Sequence, residues 1–132
     1  MILCDTSALI ALVNHKDKNH AAVKVFEGEL LTIPTTVLCE VDYFLTKYMG
    51  EHVAKVFLEE VASSRELIVF EAIDLARVNQ IRRFYDDLPL GFVDASLIAL
   101  AERYRIQKIL TLDRRHFEAV KPLHLEYLEL LP

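Results

Sequence analysis

Short unbroken apolar runs alternate along this chain with longer stretches whose apolar residues return every three or four positions. The runs Ile2–Cys4, Leu30–Ile33, Glu66–Phe70, Lys108–Leu112 and Leu125–Leu130 read as strands. Helical spacing covers Ser7–Val13, Asn19–Glu27, Thr36 to about Tyr48, Glu51–Ala62, Asp74 to about Asp86, Phe92–Tyr104 and a short piece near Arg114–Val120. Strands separated by helices do not pair as hairpins. They form an α/β domain with a mainly parallel sheet, right-handed crossovers, and ligand sites beyond the carboxyl ends of the strands. The 132 residues suit one domain, expected to span residues 1–132.

Punctuation supports these boundaries. Pro34 stops the second strand, Thr36 is placed to cap the next helix, and Gly50 to end it. The three glycines, Gly28, Gly50 and Gly91, are too scattered for a phosphate-cradling loop or a dinucleotide turn. No apolar run approaches the roughly 20 residues that cross a bilayer, and the start lacks the basic segment of a secretory signal. A cytoplasmic protein is expected. Cys4 and Cys39 show no metal-binding or paired spacing, so both are expected to stay reduced. Cys39 falls opposite the apolar stripe of its helix, where a partner or second subunit would cover it.

The acids carry the chemistry. Asp5 directly follows the first strand and Asp113 the Lys108–Leu112 strand, which puts both at the carboxyl edge of the sheet. Asp94 lies in the first turn of the Phe92–Tyr104 helix and shares a stripe with Leu97, Ile98 and Ala101. Glu40 stands at the edge of the stripe Val37, Val41, Phe44 and Tyr48, whereas Asp42 falls on the polar face. Each acid alone has a plainer reading: Asp5 and Asp113 as helix caps, Asp94 as a favourable charge at a helix N-terminus. An acid edging a buried face needs a partner, so Glu40 is harder to explain that way. Converging carboxylates raise one another's pKa, a cost that a cation relieves. All-oxygen donors suit Mg²⁺ or Mn²⁺.

Several motifs, taken together, resemble a known family. They are Asp5-Thr6-Ser7-Ala8-Leu9 after the first strand, Glu40-Val41 within a helix, Val93-Asp94-Ala95-Ser96 with Ala99-Leu100-Ala101-Glu102, and Thr111-Leu112-Asp113-Arg114-Arg115-His116-Phe117. In order and spacing this is similar to the PIN-domain ribonucleases, particularly the VapC-like toxins of toxin–antitoxin pairs, over almost the whole chain. The resemblance implies a three-layer α/β/α sandwich, Mg²⁺ or Mn²⁺ as cofactor, and endonucleolytic cleavage of RNA. It also implies a homodimer and a small VapB-like antitoxin that covers the site. The family's acids map onto Asp5, Glu40, Asp94 and Asp113, and its hydroxyls onto Thr6 and Thr111. Ser7 and Ser96 are further polar candidates. Many relatives carry another acid where this chain has His116, so that position departs from the pattern.

The net charge of −5 opposes general nucleic-acid binding. Arg114, Arg115 and Lys121, or Arg82 and Arg83, are candidates to offset it locally, although Arg82 and Arg83 read equally well as a solvated helix face. Phe26, Phe44, Phe57 and Phe70 are expected in the core rather than stacked on bases. A dehalogenase-like phosphatase needs a second aspartate where Ser7 stands, and a receiver domain needs paired acids after the first strand; neither pattern is present. The remaining alternative to a nuclease is a catalytically silent module of the same fold that binds without turnover.

Overall fold

The computed structural model describes residues 1–64 and 66–132. Five strands form one all-parallel sheet in the order β3-β2-β1-β4-β5. They are β1 (Ile2–Cys4), β2 (Leu31–Pro34), β3 (Leu67–Ile68), β4 (Lys108–Leu110) and β5 (Glu129–Leu131). Among the described residues, seven helices connect them: α1 (Thr6–Val13), α2 (His20–Lys24), α3 (Leu38–Met49), α4 (Glu51–Ser63), α5 (Ala72–Phe84), α6 (Phe92–Tyr104) and α7 (Arg115–Glu118). This is the expected α/β architecture with a parallel central sheet. Ile2, Leu3 and Cys4 are wholly buried, as a central strand covered on both faces requires.

The strand order reverses direction beside β1. The chain moves outward from β1 through β2 to β3, then returns to β4 on the other side of β1. A reversal of this kind opens a crevice at the carboxyl ends of the two strands, here β1 and β4.

Helix α6 is the most enclosed helix. Leu97, Ile98, Leu100 and Ala101 are fully buried, and two ion pairs lock it to α5. Arg77 grips Glu102 through Nε at 2.7 Å and Nη2 at 2.9 Å, and Arg103 grips Asp74 at 2.7 and 2.8 Å. Glu102 also accepts the Leu123 N–H at 3.0 Å, tying in the C-terminal segment. Paired charges with satisfied oxygens are the form in which buried carboxylates are tolerated. The result is a rigid mount for Asp94.

Several boundaries differ from expectation for local reasons. The Asn19–Glu27 helix shortens to α2, because Phe26 and Glu27 N–H donate three residues back, to Val23 and Lys24, and the segment ends in tight turns. Expected Glu66–Phe70 shrinks to β3, an edge strand, and the Phe70 N–H goes to Thr35 Oγ1 at 2.9 Å instead of the ladder. Thr36 does not cap α3. It lies in a 3₁₀ turn, Thr35–Val37, and its hydroxyl sits 2.8 Å from Ser96 Oγ. The buried stripe runs from Val37, at the end of that turn, to Val41 and Leu45 of α3; Tyr48, expected within it, is 63% exposed. Helix α3 packs against both α1 and α4, which turns its buried face toward Leu45. Gly50, between α3 and α4, has φ +99°, a conformation that a side chain would strain.

Truncating Leu97 to alanine removes a fully buried side chain beneath Asp94. Urea denaturation should show a loss of about 2–5 kcal/mol. A loss below about 1 kcal/mol would mean that α6 is less tightly packed than described.

Candidate active site

Asp5, Glu40, Asp94 and Asp113 line one cleft of about 630 Å³, together with Thr6 and Ser7. It lies where the switch in strand order predicts it. Apolar walls from Ile10, Phe44, Phe92 and Leu112 enclose the acids.

Asp5 ends β1. Its own N–H still donates to Leu110 O at 3.0 Å, so the residue belongs to the sheet while its side chain leaves it. The carboxyl is nearly buried, at 6% exposure. Oδ1 accepts the Thr6 N–H at 2.7 Å and Oδ2 accepts the Thr111 hydroxyl at 2.7 Å, with Ser7 Oγ 3.5 Å from the same oxygen. Asp5 also forms the N-cap of α1. Capping and lining the cleft are thus two uses of one carboxyl. Burial raises its pKa, its hydrogen bonds pull the other way, and the charges of Asp94 and Glu40 add to the rise.

Strand β4 was expected to reach Leu112 and stops at Leu110. Beyond Thr111, hydroxyl groups replace the ladder: Leu112 N–H donates to Ser7 Oγ at 3.0 Å, and Asp113 N–H to Thr111 Oγ1 at 3.1 Å. Those two hydroxyls bend the chain so that Asp113 faces the cleft. No side chain caps α7, so the capping reading of Asp113 does not hold. Asp94 occupies the first turn of α6. Burial raises its pKa first; the Asp113 charge adds, while His116 and the Gly91 N–H oppose. Glu40 is exposed at the rim, and its partner is a hydroxyl: Thr6 Oγ1 donates to Oε1 at 2.6 Å.

At His116, where the sequence departs from the family pattern, the structure adds a residue in contact with two of the acids. Its Nδ1 is buried, 3.1 Å from Asp94 Oδ2 and 3.7 Å from Asp113 Oδ2, at angles that make no hydrogen bond. Asp113 and Asp94 are therefore separated by no more than those two distances end to end. Asp17 also lines the cleft; nothing in its His-Lys-Asp-Lys-Asn surroundings signals that. Ser96 is not part of the cleft wall. It is wholly buried, with Oγ 2.6 Å from Val93 O. Of the basic candidates, Arg115 comes nearest, with Nε 3.8 Å from Asp113 Oδ1. Arg82 and Arg114 are spent on the carbonyls of Leu90, Leu130 and Pro132.

The donor chemistry fits a hard divalent cation: four carboxylates line one cleft, two of them with raised pKa, and behind Asp94 lies the buried His116 nitrogen, which makes no hydrogen bond. Among the described residues, no three His, Cys, Asp or Glu side chains close on a single point as a complete ligand set. Mg²⁺ does not require one, because it keeps several waters and binds through one or two carboxylates.

Each raised pKa makes the folded chain hold a proton that the unfolded chain releases. Stability therefore falls as pH rises between the unfolded and folded values. Asp94→Asn removes one such charge. In chelator near neutral pH it should melt above wild type, and the gap should close as pH falls into the ordinary carboxylate range. A variant that melts lower would mean that Asp94 serves its helix rather than the cleft.

The PIN domain family model matches residues 2–122. The chain is 35% identical over 126 residues to Ribonuclease VapC26 of Mycobacterium tuberculosis, covering 92% of this chain and 93% of that one. In structure it resembles M. tuberculosis VapC20, described as a sarcin-ricin loop cleaving toxin, with TM-score 0.82, 23% identity and full coverage of both chains. It also resembles the DNA-bound VapBC of Salmonella typhimurium, with TM-score 0.71, 18% identity, and 98% and 97% coverage. The chain belongs to the PIN-domain family, among its VapC-like members.

Proposed function

We propose that this chain is a metal-dependent endoribonuclease and the toxin of a type II toxin–antitoxin pair, acting in the cytosol. One observation carries the reading. Four carboxylates from four separate elements share a cleft at the switch point of the sheet, and the most buried of them, Asp5, is held there by a neighbour's hydroxyl. Similarity to a curated VapC ribonuclease over nine-tenths of the chain supports RNA as the substrate.

Asp5 and Asp94 are the principal direct ligands in this reading, and Asp113 binds directly or through water. Bound Mg²⁺ or Mn²⁺ would offset the carboxylates' repulsion, lower the pKa of water and stabilise charge on the phosphodiester. Thr111 fixes the angle of the Asp5 carboxylate. Thr6 occupies Glu40 Oε1 and leaves the other oxygen free to orient the attacking water or complete a second ion site. The apolar walls of Phe92 and Leu112 lower the local dielectric, which strengthens every charge interaction inside. Arg115, 86% exposed, brings a cation to the rim where a phosphate would enter.

The partners proposed with this function are a small VapB-like antitoxin and a second copy of the chain. Among the described residues, no helix is long and apolar enough to cross a membrane. A second reading, binding without turnover, draws on the lack, among the described residues, of a closed three-ligand set.

Incubation with structured RNA separates the two. Cleavage should need Mn²⁺ or Mg²⁺, stop in chelator, and fall to about a hundredth or less in Asp94→Asn. Thr111→Val, which frees the Asp5 carboxyl, should lose about 10–100-fold in activity or metal affinity. Undiminished cleavage by Asp94→Asn would refute its role, and binding without turnover under every metal condition would favour the silent module.

A further inference from the structure

Beside the acidic cleft lies a second hollow of about 650 Å³, between the end of α1 and the C-terminal half of α3. Phe44 lines both, so the two adjoin at that side chain. No carboxylate lines the second hollow; its charged lining residue is Lys16. Tyr48 stands in its wall, 63% exposed, with its ring 4.5 Å from that of Phe44. Lys47 Nζ lies 5.3 Å from the Tyr48 ring centre and 5.7 Å from that of Tyr43, itself 66% exposed. A chain with net charge −5 thus gathers two lysines and two exposed tyrosines beside the cleft where a phosphodiester would bind.

Large exposed aromatic rings supported from behind, with cations on the same surface, match the requirements of single-stranded nucleic acid. Bases stack on the rings, and the cations meet the backbone. A protein partner would be served by the apolar surface alone, whereas Lys16 in a hollow free of carboxylates, with Lys47 over the Tyr43 and Tyr48 rings beside it, suits a polyanion. We propose that this hollow is a stacking subsite for an unpaired base of the RNA substrate, next to the scissile phosphate, with Tyr48 as its platform and Lys16 and Lys47 on the flanking phosphates. The proposal rests on the nuclease reading and names the part of the substrate that the cleft itself does not hold. It also revises the expectation that Phe44 serves the core alone.

The test is fluorescence anisotropy of the full chain with labelled oligoadenylate, in chelator so that nothing is cleaved. Tyr48→Ala should weaken binding about tenfold or more, whereas Tyr48→Phe should stay near wild type. Lys47→Gln should lower the salt dependence by about one phosphate contact. Equal binding by Tyr48→Ala and wild type would overturn the subsite, as would Tyr48→Phe falling as far as Tyr48→Ala. So would loss of a second copy or another protein from Tyr48→Ala while oligoadenylate binding is kept. The nuclease reading fails separately: a wild type that binds oligoadenylate through Tyr48 but cleaves no RNA keeps the subsite and loses the reaction. A Tyr48→Ala variant that cleaves RNA with unchanged KM keeps the reaction and loses the subsite.

Discussion

A carboxylate withdrawn from water at the end of the central strand is the constraint that the rest of this molecule accommodates. Asp5 has few sources of relief: the N–H of Thr6, the hydroxyl of Thr111, and Ser7 Oγ at longer range. Each comes from the turn that follows β1 or the turn that follows β4. Moving either strand end would strand the charge, at a cost of several kcal/mol for an uncompensated buried ion. The same hydroxyl that relieves Asp5 accepts the Asp113 N–H, so one group sets the positions of two acids.

The opposite wall is fixed by different means. Asp94 sits on a helix whose flank is closed by the Arg77–Glu102 and Arg103–Asp74 pairs. These carboxylates are buried and fully matched, unlike those of the cleft, which face one another across open space. Paired acids hold the scaffold, and mutually repelling acids line the cavity. Cys4 lies just behind the cleft, and its thiol is pushed up to about 12 by burial and by the charges of Glu66 and Asp5. It therefore stays protonated and adds no further negative charge.

The architecture was legible because alternating apolar periods leave few other solutions, and the acids because their positions at strand ends and on inward stripes are readable from spacing. Strand ends were less legible. Thr111, Ser7 and Thr35 compete for backbone donors, so β3 and β4 stop before their apolar runs do. The α3 stripe went astray at Tyr48 because spacing alone does not reveal that the helix packs on two neighbours at once. Thr36 looked like a cap, but its hydroxyl meets Ser96, which is 60 residues away in sequence. Asp17 reaches the cleft from a loop, and His116 reaches Asp94 from a short helix, where no periodicity announces a direction.

Anomalous diffraction from a crystal soaked in Mn²⁺ tests the central claim most directly. The account requires a peak inside the cleft, within bonding distance of Asp5 and Asp94 and near Asp113. A peak elsewhere, or an empty cleft at saturating Mn²⁺, would contradict it and leave the acids as structural groups of an α/β scaffold.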